Sequence, residues 1–201
     1  MDTLLWSVVG FLAGSMPFSV WLGRLLVRAD IRRYGDGNPG AANAWRAVGW
    51  PVGLLAVLLD YLKGAIPVGF AHFHVGMRGP ALVAMALAPV LGHAFSPFLR
   101  FRGGKAVAVT FGIWTGLTLG EVPILLGVLL GLFFFTLAAD SWSVMLGMGG
   151  VLVHLLLRGH GLVLLAVWAG NVLILAWKHR ADLRLPFRLR PWLQRMVGGP
   201  R

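Results

Sequence analysis

The 201-residue chain is 58% hydrophobic and 12% charged, carries a net charge of +11 and has no cysteine. Soluble domains average about 25% charged residues, so this composition, with a mean hydropathy of +0.78, excludes an ordinary soluble fold and fits a chain built for lipid. Lack of Cys excludes disulfides, thiolate metal ligands and a cysteine nucleophile. The cations sit in short loops and a C-terminal tail, as membrane topology and anionic headgroups require, and nucleic acid is not expected as a partner.

The N-terminus, Met1 to Trp6, has no positively charged lead-in, so the first apolar stretch reads as a retained span and not a cleaved signal. Crossing the hydrocarbon core takes about 20 apolar residues. In chain order, spans are expected at 4–26, 50–70, 80–98, 106–119, 122–138, 141–157 and 162–177, several of them short and Gly-rich. The stretch at 106–119 is also short enough for a re-entrant segment. Basic residues cluster in three places: Arg24, Arg28, Arg32, Arg33 and Arg46; Arg100, Arg102 and Lys105; and a tail that opens at Lys178. The intervening connections offer only Arg78 and Arg158. Basic clusters belong on the cytoplasmic side, and seven crossings achieve this for all three, whereas six would misplace the tail. The expectation is an all-α, polytopic integral membrane protein with seven transmembrane helices, its N-terminus outside and its C-terminus cytoplasmic. It is expected to be a single domain over 1–201, with a basic cytoplasmic tail from about 178.

The first connection holds Gly35-Asp36-Gly37-Asn38-Pro39-Gly40, a literal GxGxxG. Without a strand and a βαβ unit it is not a dinucleotide site. It reads either as a tight turn or, with Arg32, Arg33 and Arg46 beside it, as a phosphate-binding loop of convergent amides and cations. Asp60 and Lys63 lie one turn apart inside a span; they are an internal ion pair, an ion path or the wall of a site. His93 falls near the cytoplasmic end of the third span, while His72, His74, His154 and His160 are assigned no chemistry. Gly103-Gly104-Lys105 before an apolar helix offers amides at a helix start with a lysine nearby, but the upstream Gly of a nucleotide-binding P-loop is missing and Ala106 replaces its Ser or Thr. The alternative is a basic topogenic loop. There is no HEXXH and no His followed by Asp at the spacing of the common glycerolipid acyltransferases.

Taken in register, Gly14-Ser-Met-Pro-Phe18, Asp30-Ile-Arg32, Gly35 to Asn43, Leu59-Asp-Tyr-Leu-Lys-Gly-Ala65, Leu91-Gly-His-Ala-Phe95, Phe98 to Lys105 and Lys178-His-Arg180 resemble the bacterial acyl-phosphate:glycerol-3-phosphate acyltransferase family, PlsY. The resemblance implies an inner-membrane enzyme of phospholipid biosynthesis with its site facing the cytoplasm. Its substrates would be acyl phosphate and glycerol 3-phosphate, its products lysophosphatidic acid and phosphate, with neither cofactor nor metal. It implies catalytic roles for Lys105, Arg46 and Ser143. Substrate binding is expected from Asp36, Gly37, Asn38, Gly40, Ala41, Asn43, His93, Gly103, Gly104, His179 and Asp182, with the 35–43 loop on the donor phosphate. This chain departs from the usual pattern at Asp36 (Ser), Ala42 (Thr), Ala106 (Gly) and Asp182 (Asn). A carboxylate at 36 would repel phosphate and is expected to orient an arginine instead. The competing classes are a small transporter, motivated by Asp60 and Lys63, and a noncatalytic binder of phospholipid headgroups. Oligomeric state is not legible.

Overall fold

The computed structural model describes residues 3–197, all of them helical or in connections. The helices are α1 (Thr3–Ser15), α2 (Phe18–Val27), α3 (Ala41–Val48), α4 (Trp50–Gly69), α5 (Gly79–Ala94), α6 (Val107–Thr118), α7 (Glu121–Thr136), α8 (Asp140–Leu157), α9 (Leu162–His179) and α10 (Pro191–Val197). Five stretches are long and apolar enough to cross a membrane: Thr3–Val27, Trp50–His74, Gly79–Leu99, Asp140–Leu157 and Leu162–His179. Helices α6 and α7 are apolar but shorter. All seven expected segments are therefore helices, with ends within a few residues of the expected ones. The first is interrupted at Met16-Pro17, where Pro removes a backbone donor and separates α1 from α2.

Close approach of backbones organises the bundle. Helix α1 lies on α5 and α4 on α6. A Cβ at Gly14 would run into the Pro89 backbone, and one at Gly92 into the Phe11 carbonyl. Gly64, Gly112 and Gly116 play the same part between α4 and α6. Lipid gives helices no hydrophobic reason to associate, so small residues that maximise van der Waals contact take over that role. A buried polar chain reinforces α6 against α9: Trp114 Nε1 donates to Asn171 Oδ1 (3.1 Å), and Asn171 Nδ2 donates to Thr110 Oγ1 (2.9 Å).

Two connections are more ordered than the sequence indicated. The Gly-rich stretch 30–46 ends in α3, whose Asn43 and Ala44 are buried. The tail folds back along the α7–α8 connection: Ala138 N–H donates to the Arg188 carbonyl, and Arg190 N–H to the Thr136 carbonyl. Arg190 Nε adds a bond to the Phe134 carbonyl at 2.8 Å.

Candidate active site

The site forms where three connections meet at one end of the bundle. Positive φ at Gly35 (56°) and Gly37 (73°) turns the loop after α2 back on itself. Within that turn Asp36 Oδ1 accepts from the Asn38 N–H (3.2 Å) and from Asn43 Nδ2 (2.9 Å). Asn43 also bridges onward, its Oδ1 accepting from Arg46 Nη1 at 2.9 Å. The loop geometry thus fixes the first turn of α3, where the N–H groups of Ala41 and Ala42 precede any helical carbonyl that could accept them.

Lys105 enters from the connection between α5 and α6. Its ammonium donates to Asp36 Oδ2 (2.7 Å) and Asp182 Oδ2 (2.6 Å), joining the first loop, the third loop and the tail through one atom. Burial works against charging both partners, yet their mutual attraction prevails. Asp36, which also accepts from Asn38 and Asn43, is held at about 2, below the ordinary 3.8. Desolvation opposes the Lys105 charge, but Asp182 and Asp36 raise its pKa above the usual value.

Gly103 and Gly104 are placed by packing. A Cβ on Gly103 would strike the His93 carbonyl, and one on Gly104 would strike His93 Nε2. The Gly104 N–H is already committed to the His93 carbonyl at 3.0 Å. Lys178 Nζ clamps the same junction by donating to the carbonyls of Ala94 (2.9 Å) and Gly103 (2.8 Å). These glycines bring Lys105 into position by permitting contact with the end of α5, rather than by offering the Gly104 amide to an anion. Ala106 follows with φ 65°, in the left-handed region where glycine is unstrained.

A cavity of about 440 Å³ opens here, with Asp36, Asn38, Gly40, Ala41, Asn43, Arg46, His93, Lys105 and His179 on its wall. Val57, Phe111, Phe134 and Val144 supply an apolar side. Of the residues expected from sequence, Gly37, Ser143, Gly103, Gly104 and Asp182 are not on that wall. Asp182 acts through Lys105, and Ser143 is fully buried with its Oγ unpartnered among the described residues. The ring nitrogens of His179 are likewise buried without a well-formed hydrogen bond. Asp36 touches an arginine only through Asn43, which it holds and which in turn accepts from Arg46; its direct cationic partner is Lys105, because the tight turn directs its carboxylate across to the third loop.

Asp60 forms part of the cavity wall that sequence reasoning left open. It is buried, bonded to Lys63 at 2.7 Å and to Ser19 Oγ at 3.2 Å, with His93 Nδ1 3.7 Å away. Lys63 also donates to the Met16 carbonyl at 2.8 Å, so it satisfies the break between α1 and α2. The apolar wall residues were not singled out by sequence, since an apolar residue in a span carries no mark of facing a cavity; Asp140 joins the wall from the start of α8.

Fold and site together define a multi-pass helical membrane protein with a cation- and amide-lined cavity that has one apolar side. The chain belongs to the glycerol-3-phosphate acyltransferase family, whose model matches residues 4–187. It is 39% identical over 192 residues to glycerol-3-phosphate acyltransferase 1 of Thermotoga maritima, covering 88% of this chain and 93% of that one. The Staphylococcus carnosus glycerol-3-phosphate acyltransferase is 34% identical over 194 residues, covering 91% and 93%. The crystal structure of PlsY, an integral membrane glycerol 3-phosphate acyltransferase, in its glycerol 3-phosphate form superposes with a TM-score of 0.84 at 27% identity, over 98% of this chain and 94% of that one. Its lysophosphatidic acid form gives 0.80 at 26% identity, over 98% and 93%. The chain is accordingly an integral-membrane acyltransferase.

Proposed function

We propose that this protein transfers a fatty acyl chain from acyl phosphate to the 1-hydroxyl of sn-glycerol 3-phosphate, releasing 1-acylglycerol 3-phosphate and inorganic phosphate. The observation that carries the reading is the single Lys105 ammonium shared by Asp36 and Asp182 at the polar side of a cavity whose other side is apolar. An acyl phosphate is a mixed anhydride and needs no further activation. The hydroxyl oxygen bonds to the acyl carbon, the bond from that carbon to the phosphate oxygen breaks, and a substrate phosphate oxygen takes the hydroxyl proton. What the protein supplies is position and charge: two anions must be held together against their repulsion.

In this reading Arg46 and Lys105 grip glycerol 3-phosphate, with His179 and Asp182 completing the acceptor side and Ser143 lying behind it. The Asp36–Asn43 turn and the first amides of α3 hold the donor phosphate, and the acyl chain runs along Val57, Phe111 and Phe134. All seven apolar helical segments cross the bilayer, with the N-terminus outside and the tail inside, so the site faces the cytoplasm of a bacterial inner membrane. Residues 1–201 act as one domain. The test is phosphate release by purified protein from palmitoyl phosphate and glycerol 3-phosphate, with the lipid product identified by mass spectrometry. Binding of both substrates without phosphate release would instead identify a headgroup binder.

A further inference from the structure

At the end of the bundle away from Lys105, three side chains that carry no role in acyl transfer turn toward one point. Helix α6 starts just after Lys105 and runs to Thr118, and Glu121 opens α7 beyond it. His154 lies in the last turn of α8, and His160 lies in the connection to α9. His154 Nε2 is 2.9 Å and His160 Nε2 3.3 Å from the same Glu121 oxygen, Oε1. One donor atom from each of the three lies within 4.8 Å of the others. Each side chain is about a quarter to a third exposed, so the cluster is framed by protein and open to solvent.

We propose that Glu121, His154 and His160 form a binding site for a divalent transition metal of the zinc class, separate from the acyl-transfer cavity. Two imidazole nitrogens and one carboxylate oxygen, with water as the fourth ligand, are a donor set zinc accepts readily. Magnesium, which prefers oxygen ligands and keeps its waters, suits it poorly. Both imidazoles converge on Oε1, an arrangement in which one ion can touch all three donors, while no bond to Oε2 is seen among the described residues.

The frame is also fixed independently of the cluster. Thr118 Oγ1 accepts from the Val122 N–H (3.3 Å) at the turn that presents Glu121. The His160 N–H donates to the Leu155 carbonyl (2.9 Å), and Gly159 (φ 66°) makes the reversal that swings His160 back over His154. Tetrahedral zinc with bonds of about 2.0–2.1 Å sets donor–donor separations of about 3.3 Å; His160 Nε2 already stands at that distance from Glu121 Oε1, and a small side-chain rotation would move His154 Nε2 out from 2.9 Å. Arg158 opposes the metal, its Nε standing 3.4 Å from Glu121 Oε1, but its side chain is 67% exposed and free to swing outward.

The experiment uses the full chain in detergent, stripped with a chelator and titrated calorimetrically with zinc chloride and, in parallel, magnesium chloride. The expected result is one equivalent of zinc bound and no magnesium bound. His154→Ala and His160→Ala should each weaken zinc binding at least about tenfold, the scale on which even the outer partners of metal ligands act, with acyltransferase activity unchanged. Arg158→Ala should tighten it by removing a competing cation. Absence of stoichiometric zinc uptake by the unmodified protein would overturn the proposal. So would unchanged affinity in the His154→Ala/His160→Ala double variant.

Discussion

Lys105→Ala probes the acyl-transfer site most directly. The substitution removes the cation that bonds both Asp36 and Asp182 and leaves two carboxylates where phosphate must dock. Loss of a charge-assisted hydrogen bond to a substrate anion costs about 1.5–3 kcal/mol. Repulsion from an uncompensated carboxylate adds about 1 kcal/mol at 4 Å in a water-like medium, the appropriate end of the scale because Asp36 and Asp182 are 45% and 38% exposed. The sum, about 2.5–4 kcal/mol, corresponds to a fall in kcat/KM of roughly two to three orders of magnitude. The clasp is too exposed to contribute more than about 1 kcal/mol to folding, so the melting temperature should barely move. The double variant Lys105→Ala/Asp36→Ser removes one of the repelling carboxylates and should recover about fivefold. The assay is phosphate release from palmitoyl phosphate and glycerol 3-phosphate at saturating donor. A folded Lys105→Ala protein whose kcat/KM stays within about threefold of the parent would refute the reasoning.

Asp60→Ala leaves the buried Lys63 ammonium with the Met16 carbonyl as its remaining hydrogen-bond partner, and should destabilise the protein by about 3–5 kcal/mol, seen as a large drop in melting temperature. Ala106→Gly relieves a left-handed backbone worth about 1–2 kcal/mol and gives up a buried methyl worth about 0.8 kcal/mol, so thermal unfolding should shift slightly upward. The Lys105–Asp36 pair should be insensitive to pH across the working range. The depressed Asp36 contributes fully above its ordinary 3.8 and fades only toward about 2. The raised Lys105 contributes fully below its ordinary 10.5 and is lost only above it. Thermal stability from this pair should then be flat from about pH 5 to 9, and a matched loss in Asp36→Ser at pH 6 but not at pH 8 would contradict it. Because the natural chain lacks cysteine, single substitutions report sidedness cleanly. A membrane-impermeant maleimide should label Gly76→Cys on intact cells, and Arg33→Cys and Arg184→Cys only after permeabilisation.

Hydropathy located each apolar helix because a span needs a continuous run of apolar residues, and such a run is visible in one dimension. The same rule blurred α1 and α2 into one segment, since Pro17 interrupts the helix without interrupting the hydropathy. Helix α3 was hidden for the opposite reason: its eight residues are too few for a span, include Asn43 and Arg46, and follow directly on a glycine turn. Arg46, Lys105 and the 35–43 turn were legible because cations and glycines are conspicuous between spans. That Gly103 and Gly104 pack on His93, and that Asp36 reaches Lys105 across 69 residues, depends on how distant connections meet, which no local pattern encodes. His154 and His160 were passed over because Glu121, the residue that unites them, is 33 and 39 positions away in the chain.

The tie between Lys105 and Asp182 also has a consequence in time. Membrane insertion proceeds from the first helix onward, and Lys105 leaves the ribosome 77 residues before its second carboxylate partner. During that interval the loops that carry Asp36 and Lys105 stand in place while the tail has yet to be synthesised. A nascent chain arrested before Asp182 should therefore be anchored, helical and chemically silent, and competence should arrive only when the final transmembrane helix and the start of the tail have been delivered to the same side.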